Sequence, residues 1–107
     1  VKFPTFDRSL DCVIQNGGMV KSKDHTILVE GNYLILNQEP WKKICSHWDF
    51  SIMLDVPQEI IEKRLLERWA ANGFDASQAA FKTKNNDLPN AIIIKNNSLE
   101  ANYYLCL

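Results

Sequence analysis

The stretch Phe50-Ser51-Ile52-Met53-Leu54-Asp55-Val56-Pro57-Gln58-Glu59-Ile60-Ile61 decides the fold. Its first part is a run of apolar and β-prone residues closing on an acid, which predicts a strand buried on both faces over Phe50–Val56. Pro57 fixes φ in the range that a first helical turn uses, so it can open a helix. Ile61, Leu65 and Trp69 then recur four apart and share one face, while Glu62, Lys63, Glu67 and Arg68 occupy the rest. Gly73 suits a C-terminal cap, and Asp75-Ala76-Ser77-Gln78 has the form of a capping box that starts a short helix towards Lys84. A buried strand feeding directly into a helix is the repeating unit of a parallel sheet.

The flanking segments extend that pattern. His25-Thr26-Ile27-Leu28-Val29-Glu30-Gly31 predicts another strand buried on both faces. Tyr33–Leu36 continues apolar, and Pro40 precedes Trp41, Ile44, Cys45 and Trp48 at helical spacing. After the polar Asn85-Asn86-Asp87, the run Ala91–Lys95 predicts a third short buried strand. Ala101–Leu107 is apolar enough to pack. Val1–Asp24 is expected to be mostly irregular, with a turn at Asn16-Gly17-Gly18 that suits positive φ. The expected class is α/β, a parallel sheet of about three strands with flanking helices.

Composition limits what such a chain does. With 107 residues it is at most one ordinary domain. Twelve basic against 13 acidic side chains leave a formal net charge of -1, which argues against a nucleic-acid binder with a broad electrostatic footprint. No apolar run is long enough to span a bilayer, and no basic-then-apolar leader opens the chain. Cys12, Cys45 and Cys106 are odd in number and never form Cys-x-x-Cys, so the expectation is buried reduced thiols in a cytoplasmic protein. The chain starts at Val1 and its first methionine is Met19, so the sequence reads as cut from a longer one or processed.

In parallel sheets ligands gather at the carboxyl ends of strands, where Glu30 and Asp55 stand. An acid directly after an apolar strand can hold Mg2+, usually through water, beside phosphates, and Gly31 lets the chain turn close to a ligand. The other reading of Glu30 is a solvated carboxylate before a turn. Arg64 and Arg68 lie one helical turn apart and project on the same side, so they can clamp phosphoryl oxygens. They can equally form a solvated face paired with Glu62 and Glu67. Phe6-Asp7-Arg8 could grip a hydroxylated substrate, Asp7 accepting and Arg8 donating, or could be a loop ion pair of small energetic value. His25 and His47 have no metal-ligand spacing and read as ordinary polar positions.

Taken in order, several runs resemble one family: Phe3-Pro4-Thr5-Phe6-Asp7-Arg8, Ile27-Leu28-Val29-Glu30-Gly31-Asn32-Tyr33-Leu34, Asp49-Phe50-Ser51-Ile52 with Asp55-Val56-Pro57, Arg64-Leu65-Leu66-Glu67-Arg68-Trp69, and Asn86-Asp87-Leu88-Pro89-Asn90. The set resembles the P-loop kinases of uridine kinase, phosphoribulokinase and bacterial pantothenate kinase. Within them it is similar to bacterial nucleoside/nucleotide, fructose-transport-associated kinase-like proteins. The resemblance implies transfer of the ATP γ-phosphoryl group, with Mg2+, to a hydroxyl of a nucleoside, sugar or pantothenate-like acceptor. By that analogy Glu30 closes the metal-side strand, and Arg64 and Arg68 belong to a lid over the phosphates. Asp7 and Arg8 face the acceptor, Asn32 and Tyr33 line the same cleft, and Asn90 lies on the adenine side.

One departure is large. The family's phosphate cradle, Gly-x-x-x-x-Gly-Lys-Ser/Thr, needs a glycine-rich turn and a lysine. Here glycines stand only at 17, 18, 31 and 73, and none precedes a lysine. The family's catalytic aspartate also falls outside these residues. The chain therefore resembles the C-terminal part of a single kinase domain over 1–107, lacking the P-loop strand and expected to be inactive alone. Without that strand, Thr26–Glu30 and Phe50–Asp55 are left to re-pair, to stand apart, or to be stabilised by the missing N-terminal half or a second copy. Two other readings are a non-catalytic binding or regulatory module derived from a kinase, and a plain small α/β domain.

Overall fold

The computed structural model describes all of Val1–Leu107, in two compact units, Val1–Glu30 and Gly31–Leu107. The first unit is a hairpin, not the irregular segment expected. Strand β1 (Lys2–Asp7) pairs antiparallel with β2 (Cys12–Met19), and Val20 N–H donates to the Val1 carbonyl at 2.8 Å beyond the ladder. Register passes from Phe3↔Gly18 to Thr5↔Ile14, so β2 carries extra residues in a bulge. Asn16, at φ 56, lies inside that bulge, so the positive φ expected there serves a strand irregularity instead of a chain reversal. At Gly18 a Cβ would run into the Phe3 ring, so any other residue there would displace that ring. The reversal is built by Asp7, as described below.

Ile27–Glu30 follows in this unit without regular structure and belongs to no sheet. The strand expected there does not form. Its side chains are exposed, Leu28 at 93%, so the segment lacks the neighbours on both faces that such a run requires.

In the second unit, Trp41–His47 forms a 3-10 helix at the spacing read from the sequence. Strand β3 (Ile52–Asp55) and helix α1 (Gln58–Ala71) follow, with Pro57 at the helix N-terminus. Gly73, at φ 88, ends α1 with its N–H on the Ala70 carbonyl at 3.0 Å. Helix α2 (Ala76–Lys82) starts on the expected capping box: Gln78 N–H donates to Asp75 Oδ1 at 2.8 Å, and Asp75 N–H donates to Gln78 Oε1 at 3.2 Å.

A π-helical turn over Thr83–Asp87 joins α2 to α3 (Leu88–Asn97). Thus Ala91–Lys95 is helix, not strand. A short apolar run does not by itself separate a buried strand from a helix, and Pro89 in the first turn of α3 favours the helix. The strand that does form is the tail, β4 (Tyr103–Cys106), parallel to β3 in the register Ile52↔Tyr103 to Asp55↔Cys106.

The fold class is α/β, a small parallel sheet with flanking helices, and the parallel strands number two. The buried apolar residues are Leu36, Ala79, Leu88 and Ala101, three of them small or at the α2–α3 junction. Thr83, fully buried in the π turn, has an Oγ1 without a hydrogen-bond partner. By contrast β4 is exposed along its whole length. Tyr103 N–H donates to the Ser51 carbonyl and Leu107 N–H to the Asp55 carbonyl, both at 3.1 Å. In a parallel ladder that alternation turns the backbone groups of Ile52 and Leu54 towards the other edge of β3, where no strand lies. Cys12 and Cys106 are exposed and Cys45 half-buried, so the thiols are not the buried set expected; with so small a core, few positions are enclosed.

Candidate functional site

Each candidate residue takes its place from its local structure. In the hairpin, Asp7 Oδ1 accepts from Ser9 N–H at 2.9 Å, Ser9 Oγ at 2.6 Å and Leu10 N–H at 3.1 Å. This Asx-type turn reverses the chain and lets Asp11 adopt φ 49. The Ser9 hydroxyl, then the Leu10 N–H, hold the Asp7 carboxyl below the usual carboxylate value. One oxygen of Asp7 is therefore committed to the turn. Arg8 beside it is exposed and forms no ion pair, since the ion pairs of the chain are Lys43–Glu39, Lys63–Glu67 and Lys95–Asp55. Glu30, at the end of the same unit, is exposed, with its carboxylate in no ion pair or hydrogen bond.

In the second unit, α1 fixes the arginine pair. Ile61, Leu65 and Trp69 are half-buried, which turns Arg64 and Arg68 outwards. Neither guanidinium pairs with Glu62 or Glu67; Glu67 is held instead by Lys63 at 4.0 Å. Two unpartnered guanidinium groups one turn apart can bind phosphoryl oxygens. The C-terminal end of α1 is anchored by Trp69, whose Nε1–H donates to Asp87 Oδ2 at 2.7 Å and whose ring meets Phe74 edge-on at 5.1 Å. The sequence reading missed this anchor, although the Arg-x-x-x-Arg-Trp run and Asn86-Asp87 were both in view. Asn90 sits half-buried in the first turn of α3.

Asn32 is exposed and Tyr33 half-buried, and the Tyr33 ring lies 5.2 Å from that of Trp41. Trp48 Nε1–H donates to the Leu34 carbonyl at 2.6 Å, and Cys45 Sγ lies 3.7 Å from the same oxygen, so the 3-10 helix pins this loop. The structure thus brings Tyr33 to Trp41, and Arg64 to the face of Arg68. No group of three or more His, Cys, Asp or Glu side chains is placed to hold a metal ion. No helix is long and apolar enough to cross a membrane.

The small parallel sheet with flanking helices is an α/β arrangement, and Arg64 and Arg68 stand on the helix that follows β3. No family model matches the chain. Among curated proteins it is similar to "Putative uridine kinase C227.14" of Schizosaccharomyces pombe, 28% identical over 104 residues, which are 95% of this chain and 44% of that protein. Among crystal structures it is similar to a "putative fructose transport system kinase" from Silicibacter sp. TM1040. There the TM-score is 0.88 and the identity 34%, over 98% of this chain and 51% of that one. YFH7 of Saccharomyces cerevisiae, described as "a putative P-loop containing kinase with a circular permutation", matches at TM-score 0.75 and 23% identity, over 97% of this chain and 34% of that one. At that identity the likeness is one of fold. Over almost its whole length the chain is similar to proteins described as kinases, and it spans about half the length, or less, of these relatives.

Proposed function

We propose that this chain is the lid, acceptor and metal-acid part of one kinase-like domain. It would serve an ATP-dependent transfer of the γ-phosphoryl group to a small-molecule hydroxyl, and be inactive without a separate phosphate cradle. The observation that carries this is the superposition of 98% of the chain on half of the Silicibacter kinase, with no cradle motif among its own residues. In the reaction the γ-phosphorus to β-phosphate oxygen bond breaks and a bond to the acceptor oxygen forms. The acceptor proton goes to a base outside these residues, as the resemblance implies.

The chain's own contributions are electrostatic. Arg64 and Arg68, free of carboxylate partners, would neutralise charge on the phosphoryl oxygens. Glu30 fits a water-mediated Mg2+ contact, because an exposed, unpaired carboxylate is what an ion that keeps most of its water needs. Mg2+ when bound would screen the phosphate charge. Arg8, the free oxygen of Asp7, Asn32 and Tyr33 would meet the acceptor, and Asn90 the adenine.

A second reading, a non-catalytic module that docks a partner, draws support from the unpaired edge of β3. One experiment separates the two. The chain is assayed for ADP release with Mg2+, ATP and a panel of uridine, fructose and pantothenate. The assay is run alone and then with the part of the Silicibacter kinase that this chain does not cover. The expected result is no turnover alone and acceptor-dependent turnover on mixing, lowered about 10²–10³-fold by Arg68→Ala. Turnover by the chain alone overturns the inactivity; a tight complex without turnover favours the docking module.

A further inference from the structure

Beside α2 lies an open surface groove with about 350 Å³ of space, lined by Phe74, Ser77, Gln78, Phe81 and Lys82. None of the residues assigned above lines it. Its chemistry is uneven in a telling way. Two phenyl rings line it, and the Phe81 side chain is 69% exposed, with nothing in the unit covering it. The polar groups are an ammonium, a hydroxyl and an amide, and no carboxylate is among them.

Lys82 is the centre of this arrangement. Its Nζ lies 4.9 Å from the ring centroid of Phe74 and 4.9 Å from that of Trp69, and it takes part in none of the three ion pairs. The two rings are themselves fixed edge-to-face, and Trp69 is tied to Asp87, so the ammonium is held in place by a rigid frame. The ring faces attract the ammonium and fix its place, and no carboxylate lies within ion-pair distance of it, so its donors remain open to an anionic group. Gln78 Oε1 is occupied by the Asp75 N–H, which leaves the amide NH2 as the free part of that side chain, a donor.

We propose that this groove binds a small planar aromatic molecule carrying one anionic group. The ring system lies against Phe74 and Phe81, and the anion meets Lys82 with Ser77 and the Gln78 amide as further donors. The space in the groove suits a one- or two-ring ligand. The Lys82 ammonium disfavours a cation in the groove, and the phenyl rings favour an aromatic anion over a bare inorganic one.

The test is a titration of the full chain, followed by amide and indole NMR shifts, with indole-3-acetate and with its neutral amide, indole-3-acetamide. The expected result is saturable shifts at Phe74, Gln78, Lys82 and the Trp69 indole, with the acid bound about tenfold tighter than the amide. Lys82→Met, which keeps an apolar stem, should remove the preference for the acid. Phe81→Ala, at an exposed site that folding does not need, should weaken both ligands. Equal binding of acid and amide overturns the proposal, as does an absence of saturation up to about 10 mM. Shifts that follow protein concentration without ligand overturn it too, by showing a contact between copies.

Discussion

Within the second unit, the helical path from Gln58 to Asn97 and the sheet of β3 and β4 are finished to different degrees. The helices close on themselves. Their ends are capped by Gly73 and the Asp75–Gln78 box, and Trp69 ties α1 to Asp87. Ala79, Thr83 and Leu88 are buried where α2 meets α3. The sheet is open: Ile52 is 56% and Leu54 57% exposed, and the outer edge of β3 has no strand. Parallel sheets are ordinarily covered on both faces. Helices satisfy their backbone within one segment, whereas a strand needs a second one, so the helices here are complete while β3 keeps one edge without a partner.

That contrast breaks most visibly in the core. Leu88→Ala should cost about 2–5 kcal/mol in denaturant unfolding, and Leu54→Ala less than about 1 kcal/mol. Equal costs would mean that the sheet is as well packed as the helices. Next in size, Trp69→Phe removes the donor to Asp87 and should cost about 1.5 kcal/mol. It should also loosen the end of α1 that carries Arg68, seen as faster amide exchange there. Asp75→Ala, which removes the capping box, should cost about 1 kcal/mol and fray α2. No change in α2 amide exchange would show that the box is idle.

The smallest effect concerns the hairpin. Its Asp7 carboxyl is held below the usual value by the Ser9 hydroxyl and the Leu10 N–H, so the folded form has the lower pKa. The stabilisation of the turn is then complete above the ordinary carboxylate range and is lost as pH falls through the lower folded value. Ser9 and Leu10 amide shifts should titrate with a midpoint below that of an unfolded Asp. A midpoint at or above it contradicts the turn.

Legibility of the fold follows the same division. The capping box at Asp75, the Gly73 stop and the Phe50–Pro57 strand-to-helix junction are local signals, and each appears where the residues place it. Ala91–Lys95 misleads because an apolar run of that length fits a helix or a buried strand equally, and Pro89 settles it for the helix. Ile27–Val29 reads as a strand but stays unpaired, since strand formation depends on residues elsewhere. The hairpin was hidden by Pro4 within β1 and by Asn16-Gly17-Gly18, which has turn composition but forms a bulge. Of the candidate site, the outward pair Arg64 and Arg68 was legible from helical spacing. The Trp69–Asp87 anchor and the Lys82 contact with two rings depend on tertiary packing and were not.

Hydrogen exchange at β3 reads the unfinished sheet most directly. Amides of Met53 and Asp55, which face β4, should be protected, while those of Ile52 and Leu54 exchange as in an unstructured chain. Equal protection of all four would show that the outer edge is already filled, and would contradict the account.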